Sequence, residues 1–263
     1  MNDQSITLTI DKRSIATLTL NRPELHNAVS LEMIREMRKI IAELNSNSEL
    51  RGVILTGAGK TFCAGMDLRW MQKISTQNRA NRIAEATELS EMLNELDQLE
   101  KPLIGKINGH SFGGAIGLIS CCDFAVSAED AEFSLTEVLL GLLPATVSPF
   151  VIRRIGAANA RRIMLNAHRF SAKEAVRIGL VAESPPDAKS CQAAGLAWAK
   201  RLAAGAPQAI QYTKQSVNAW IKQTAGPAFD LSTALETATF SSADHKEALT
   251  ALKEKRSPKF TGE

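Results

Sequence analysis

The chain has 263 residues, of which 44% are hydrophobic and 22% charged, and its 31 basic and 28 acidic side chains leave a net charge of +3. This composition is typical of a globular protein with a full core, and it excludes a disordered chain and a long apolar membrane span. Because charges of both signs are spread along the chain, no field of one sign favours nucleic acid as a partner.

Three further features of the sequence indicate where the protein is located and whether it forms disulfides or binds a metal. They are its polar first residues and the positions of its cysteines and histidines. Met1 to Gln4 carry no basic or apolar leader, which predicts a cytoplasmic protein with no membrane partner. The four cysteines lack a CxxC spacing, and the four histidines lack the spacing of a metal motif. We therefore expect reduced, buried cysteines and no metal site.

The first third of the chain predicts a hairpin followed by a parallel crossover. Apolar residues alternate over residues 6–10 and 16–20, with a turn between them. Ser30 suits the N-cap of a helix, and a short buried strand follows at residues 53–55. The apolar stripe of that helix comprises Ile34, Met37, Ile41 and Leu44.

The same pattern recurs downstream and defines the fold class. We predict a helix over residues 80–99, a strand over 103–107, a helix over 114–121 and a strand over 124–126. Repeated strand, helix and strand units indicate an α/β fold with parallel strands. In such folds, ligands bind where strands run out into helix N-termini.

Helices dominate the sequence beyond residue 150. Ser171 and Glu174 have the spacing of a capping box, and Asp244 is predicted to cap a last helix that carries Leu249 and Leu252. Residues beyond about 200 show no strand pattern. A helical tail of about 60 residues cannot bury a core alone, so it should pack on the rest of the chain or on another subunit.

Two glycine turns and one glutamate are the candidate chemical groups. The turns at residues 64–67 and 113–115 each follow an apolar run, and backbone N–H groups at such turns can bind a developing oxyanion. Glu137 lies among aliphatic residues, where burial raises a carboxyl pKa toward neutral. Purely structural alternatives are a loop with a capping aspartate, close helix and sheet packing at glycine, and a solvent-facing acid at a helix start.

Four stretches of the chain resemble the enoyl-CoA hydratase/isomerase (crotonase) superfamily. They are Asn21-Arg22-Pro23 with Asn27-Ala28, and residues 62–68, 108–123 and 247–260. The resemblance implies a crotonase-like α/β spiral of ββα turns over residues 1–200, with the acyl-CoA site, and a C-terminal helical oligomerisation module over residues 201–263. It also implies a homotrimer or a dimer of trimers, with coenzyme A as part of the substrate and no separate cofactor.

Residue by residue, the resemblance assigns a site. The backbone N–H groups of Met66 and Gly114 match the oxyanion hole, and Glu137 matches the second catalytic glutamate of the family. The residues that match the substrate and CoA contacts are Ala64, Met66, Asp67, Leu68, Arg69 and Gly114. For the CoA phosphates, the candidates are Arg22, and Lys255 or Arg256, of this or a neighbouring chain.

One departure from the family pattern concerns substrate choice. Gly117 stands where familiar hydratases have their first catalytic glutamate. The glycine-rich segment that follows the second glutamate in the family is changed here to Leu143 through Phe150, which is expected to narrow or repolarise the pocket. This combination resembles bacterial methylglutaconyl-CoA hydratases and their γ-carboxygeranoyl-CoA relatives. We expect the absent glutamate to free volume and to remove a negative charge, both of which would favour a substrate with its own carboxylate, and Thr146, Ser148 or His110 could bind that carboxylate.

The sequence therefore predicts hydration of a 2-enoyl-CoA thioester, with methylglutaconyl-CoA as the substrate. Rival functions are a general short-chain enoyl-CoA hydratase and a crotonase-type isomerase, decarboxylase or thioester hydrolase, which use the same enolate. A third alternative is a protein that binds CoA or RNA without catalysis.

Overall fold

Two sheets and nine α-helices make up the described part of the computed structural model, which covers residues 4–205, 207–218, 240 and 242–259. The larger sheet has the order β1-β2-β3-β5-β7, antiparallel between β1 and β2 and parallel elsewhere. Its strands are β1 (Ile6–Ile10), β2 (Ile15–Leu20), β3 (Gly52–Gly57), β5 (Leu103–Ile107) and β7 (Phe124–Ser127).

A second, smaller sheet has the order β4-β6-β8-β9. Its strands are β4 (Thr61–Cys63), β6 (His110–Phe112), β8 (Glu132–Ser134) and β9 (Phe170–Ser171). The pairs β4-β6 and β6-β8 are parallel, and β8-β9 is antiparallel. These strands have two or three residues each, which is too short for an alternating pattern to show in the sequence.

The helices connect and cover the strands. They are α1 (Leu31–Ser46), α2 (Leu68–Thr76), α3 (Arg79–Asp97), α4 (Gly114–Ser120), α5 (Ser148–Asn166), α6 (Ala172–Arg177), α7 (Ala188–Ala203), α8 (207–218) and α9 (Ala243–Lys253), with 3-10 turns at Pro23–Leu25 and Glu137–Leu140. The chain breaks helical geometry at Gly156 within α5. None of these helices is long and apolar enough to span a membrane.

The predicted α/β class and hairpin are confirmed, and so are the predicted caps of two helices. The Ser30 hydroxyl accepts the Met33 N–H at the start of α1, and the Ser171 hydroxyl accepts the Glu174 N–H at the start of α6. The predicted cap of α9 is wrong by two residues, because Ser242 and not Asp244 accepts the His245 N–H.

The division at residue 200 stays a prediction. Helix α7 crosses that point and packs on β3, β5 and β7 of the larger sheet. Much of the predicted oligomerisation module, including residues 219–239, lies outside the described residues. The four cysteines are buried and unpaired.

Candidate active site

A single cavity of about 680 Å³ brings the two glycine turns and Glu137 together. Each of the seven residues predicted to act on or bind the substrate lines it, namely Ala64, Met66, Asp67, Leu68, Arg69, Gly114 and Glu137. Apolar side chains form most of the remaining wall, including Trp70, Met71, Leu89, Met92, Leu93, Leu118, Leu142 and Val147.

The first turn is held in place by a short bridge to residue 29. The Val29 N–H donates to the Gly65 carbonyl at 2.7 Å, and the Asp67 N–H donates to the Val29 carbonyl at 2.9 Å. In a parallel bridge of this kind, the N–H of the middle residue points to the opposite side. The Met66 N–H is thus turned away from Val29, and it forms no hydrogen bond with the residues that the structure describes.

The second turn lies directly against the first. A Cβ atom at Gly65 would lie 2.7 Å from the Phe112 carbonyl oxygen and 3.4 Å from the Gly114 nitrogen, so only glycine allows this approach. Gly65 and Gly113 also have positive φ angles of 90° and 54°. The close approach places the first turn beside the Gly114 amide, and Met66 and Gly114 line the same cavity.

Gly114 supplies an amide at the first position of α4. An N–H at that position has no partner within the helix, and Gly113 provides no side-chain cap. A Cβ at Gly114 would meet no atom within 4 Å, so the Gly114 backbone faces open space. Met66 and Gly114 thus both line the cavity with amide groups that have no hydrogen-bond partner in the described structure, and the dipole of α4 adds to the attraction of the Gly114 amide for negative charge.

The carboxyl group of Glu137 is buried beside the second turn. A Cβ at Gly113 would lie 3.3 Å from Glu137 Oε1, and Oε2 is buried without a hydrogen-bond partner in the described structure. Burial raises the pKa of Glu137 to about 7, although its own backbone N–H opposes the rise. A carboxyl with this pKa can both accept and return a proton near neutral pH.

Burial of Glu137 has a consequence for stability that a Glu137→Gln variant exposes. An acid whose pKa rises on folding from 4.5 to about 7 destabilises the folded protein as pH rises through this window. The cost at pH 8 is about 3 kcal/mol. Because the amide does not titrate, the variant should not lose stability in this way. We expect the difference in unfolding free energy, variant minus wild type, to increase by up to this amount from pH 4.5 to pH 8, as measured by urea denaturation. An equal pH dependence of the two proteins would contradict the raised pKa.

Asp67 and Arg22 fix the start of α2. The Asp67 carboxylate accepts the Arg69 N–H at 2.8 Å and pairs with Arg22 at 2.8 Å. Burial alone would raise the pKa of Asp67, but the bonds from Arg22 and the backbone N–H groups outweigh it, and the pKa is lowered. Arg22 also donates to the Ala28 carbonyl at 2.7 Å. Its guanidinium is therefore engaged within the protein.

The structure shows where the three candidates for the CoA phosphates lie and which side chains they contact. Arg22 pairs with Asp67, and Arg256 pairs with Glu247 at 2.6 Å and with Glu254 at 2.6 Å, so both candidates have carboxylate partners within this chain. Their contact with the CoA phosphates stays a prediction. Lys255 lies outside the cavity lining. Arg69 lines the cavity from the first turn of α2, where it remains a predicted CoA contact.

Of the three polar side chains predicted near a substrate carboxylate, only Thr146 lines the cavity. The Ser148 hydroxyl donates to the Pro144 carbonyl, and His110 is exposed and accepts the Glu132 N–H at 3.1 Å. The sequence interpretation missed Arg169, which lines the cavity with its guanidinium 5.1 Å from the centroid of the Phe112 ring. It also missed Leu252, which reaches the cavity from α9.

The expected free volume at Gly117 is absent, and that prediction was wrong. A Cβ at Gly117 would lie 2.4 Å from Cγ1 of Val147, whose side chain is only 2% exposed. Val147 thus fills the space beside Gly117, and the glycine serves packing between α4 and the start of α5. Val147 belongs to the segment over residues 143–150 that departs from the family pattern.

Packing against Val147 gives Gly117 a measurable effect on stability. In an ordinary helix interior, Gly→Ala stabilises by about 1 kcal/mol. We expect Gly117→Ala instead to lower the unfolding free energy by about 1 to 3 kcal/mol, because the added methyl group overpacks the core. The double variant Gly117→Ala/Val147→Ala should recover part of the loss. A single variant as stable as the wild type in urea would contradict this packing.

The residues that the structure describes contain no group of three or more His, Cys, Asp or Glu side chains arranged to hold a metal ion. The polar part of the cavity contains instead two backbone donors, the buried carboxyl group of Glu137, and side chains that include Thr146 and the ion-paired Asp67. This arrangement can stabilise negative charge on a carbonyl oxygen while one group moves a proton.

Comparison with known proteins gives one consistent family. The sequence profile of the family described as enoyl-CoA hydratase/isomerase matches residues 11–263. The chain is 33% identical over 251 residues to a short-chain-enoyl-CoA hydratase from Clostridium acetobutylicum, with 92% of each chain covered. It is 32% identical over 260 residues to a peroxisomal Delta(3,5)-Delta(2,4)-dienoyl-CoA isomerase from Arabidopsis thaliana, covering 94% of this chain and 92% of the other.

A solved structure supports the same assignment. The crystal structure of an enoyl-CoA hydratase from Shewanella pealeana superposes with a TM-score of 0.80 at 33% identity, covering 98% of this chain and 97% of the other. The match extends over nearly the full length of both chains.

Proposed function

Because the chain belongs to the enoyl-CoA hydratase/isomerase family, we propose that it adds water across the double bond of a 2-enoyl-CoA thioester. One observation carries the proposal. The amide groups of Met66 and Gly114, which have no partner in the described structure, and the buried carboxyl group of Glu137 line the same cavity. An enoyl thioester needs an anion hole at its carbonyl oxygen and a proton carrier near C2 and C3.

In the proposed reaction, the thioester oxygen accepts the N–H groups of Met66 and Gly114. The Glu137 carboxylate takes a proton from water as the water oxygen bonds to C3, and the electron pair of the double bond moves onto the thioester oxygen as an enolate. A proton from Glu137 or from a water molecule then adds at C2 and restores the carbonyl group. The net change is the addition of one water molecule.

The position of the two amides favours the enolate over the substrate. Both donors are fixed by the backbone before the substrate binds, so little reorganisation is needed when charge develops on the oxygen. The apolar wall excludes water from the reacting atoms and strengthens these interactions. The pKa of Glu137 near 7 suits a group that must accept a proton in one step.

For the acyl group, we propose 3-methylglutaconyl-CoA or a related enoyl-CoA with its own carboxylate. The support is Arg169, an exposed cation at the edge of a mainly apolar cavity, whose guanidinium lies over the Phe112 ring and pairs with Glu132 at 3.0 Å. Phe112 immediately precedes the second turn, so Arg169 lies on the same wall as Gly114. An arginine can bind a carboxylate through two parallel hydrogen bonds.

Steady-state kinetics on two substrates test this choice. We expect a higher kcat/KM for 3-methylglutaconyl-CoA than for crotonyl-CoA, and Arg169→Met should lower the first value about 10- to 100-fold and leave the second nearly unchanged. Crotonyl-CoA preferred by the wild type, with no selective effect of Arg169→Met, would identify a general short-chain hydratase instead.

A further inference from the structure

Helix α9 packs directly against the 3-10 turn that carries Glu137. That turn spans Glu137–Leu140 and ends at Gly141, whose φ is 66°. A Cβ at Gly141 would lie 2.7 Å from the His245 backbone nitrogen on α9, so glycine is needed for this approach. Leu252 of the same helix lines the cavity together with Glu137.

His245 forms the polar link between the two elements. Its Nδ1 lies 2.8 Å from the Leu140 carbonyl oxygen, and because a carbonyl only accepts, Nδ1 carries the proton and donates. The side chain is 0% exposed, and the ring of Phe240 packs edge-on with its centroid 5.2 Å away. The hydroxyl of Ser242 accepts the His245 backbone N–H at 3.0 Å. The imidazole ring is thereby fixed in one place.

The surroundings of the His245 ring keep the proton on Nδ1. Burial lowers the pKa of His245, although the bond to Leu140 opposes the change, so the neutral ring persists at pH 7. Nε2 is buried without a partner in the described structure, so a second proton there would be buried without an acceptor. The single proton of the neutral ring remains directed at Leu140.

We infer that His245 is a positioning residue for Glu137, which holds the Glu137–Leu140 turn against α9 and keeps the Glu137 carboxyl group out of bulk water. The expected effect of His245 on catalysis rests on the proposed function. Its effect on the hydration of the Glu137 carboxyl group does not, because that effect can be measured without substrate.

Loss of the link has a specific consequence. If the turn moves away from α9, water reaches Glu137 and its pKa falls toward the ordinary value, because burial causes the rise. A weaker base then takes the proton less readily. We expect kcat to fall about tenfold, with KM changed less than about twofold.

Two amide substitutions provide a matched pair. In His245→Asn the side-chain nitrogen occupies nearly the place of Nδ1 and can still donate to Leu140, whereas in His245→Gln it lies near the place of Nε2. Ser242→Ala is the second control, because it removes the N-cap of α9 without touching the bond between His245 and Leu140. Circular dichroism and thermal unfolding establish that each variant is folded.

Infrared difference spectroscopy measures the titration of Glu137 directly in the protein without substrate. Subtraction of the Glu137→Gln spectrum isolates its carboxyl band from the other titratable groups. Those lining the cavity are Glu24, His26, Asp67, Arg69 and Arg169. Those flanking His245 on α9 are Asp244, Lys246 and Glu247.

The expected result is a Glu137 midpoint near pH 7 in the wild type, His245→Asn and Ser242→Ala, and a midpoint at least about one unit lower in His245→Gln. Equal midpoints in the two amide variants would overturn the inference, and so would an equal shift in Ser242→Ala. Because no turnover is measured, this outcome is independent of whether the protein hydrates an enoyl-CoA.

Discussion

Replacement of Glu137 by glutamine is expected to lower kcat by about 100-fold or more while acyl-CoA binding stays nearly intact. The amide has almost the volume of the carboxyl group, but it cannot take a proton from water. Steady-state kinetics give kcat, and calorimetric titration with a saturated acyl-CoA gives the binding constant.

A glutamate at the edge of the same cavity provides the control for this result. Glu24 is exposed and lies on the 3-10 turn at Pro23–Leu25. We expect Glu24→Gln to change kcat by less than about threefold. Turnover of the Glu137→Gln protein close to that of the wild type would remove Glu137 from the reaction.

Replacement of Gly114 by proline should lower kcat at least as much, by about 100- to 1,000-fold, which corresponds to about 3 kcal/mol of lost transition-state stabilisation. Proline lacks the N–H that would contact the developing oxyanion. The first position of a helix is where proline is best tolerated, so the variant should remain folded.

Alanine at the same position distinguishes the effect of losing the N–H group from the effect of adding a side chain. A Cβ at Gly114 meets no protein atom within 4 Å, so Gly114→Ala keeps both the N–H and the packing. We expect a much smaller loss of kcat for alanine than for proline. Equal rates for the two variants, with circular dichroism showing that both are folded, would argue against an oxyanion contact at Gly114.

The sequence predicted those elements whose signal is long or repeated. The predicted helix after Ser30 has a stripe of apolar residues over several turns. The observed α1 begins at Leu31, and Ser30 is its N-cap, as predicted. The strand over residues 103–107 was predicted with its observed bounds. Both glycine turns and Glu137 were predicted to be close together, and they line one cavity.

Contacts between distant parts of the chain were beyond the sequence pattern. Val147 fills the space at Gly117 through side-chain packing between two helices, which no local spacing encodes. The pairing of Arg22 with Asp67 joins residues 45 positions apart, and it makes Arg22 a support for the first turn. Arg169 and Leu252 reach the cavity from elements that carry no motif of their own.

Asn27 supports the first turn and also lies within a stretch of sequence that resembles the family. Asn27 has a φ of 55°, a conformation that asparagine tolerates better than most residues, and its side chain donates to the carbonyl groups of Ala58 and Thr61 at 2.9 Å and 2.8 Å. It thereby ties the chain before α1 to the segment that leads into the first turn. The Asn27-Ala28 pair belongs to the stretches that resemble the family, but the contacts that explain its role join residues more than 30 positions apart.

The position of an oxygen-18 label in the product distinguishes the addition of water to C3 of an enoyl thioester from the rival reactions. The protein is incubated with crotonyl-CoA and with 3-methylglutaconyl-CoA in oxygen-18 water, and the products are analysed by mass spectrometry. We predict a 3-hydroxyacyl-CoA that carries one oxygen-18 atom on C3, formed by the wild type and far more slowly by Glu137→Gln. An isomerised enoyl-CoA without the label, or free CoA with the label in a released acid, would contradict hydration and identify an isomerase or a thioester hydrolase.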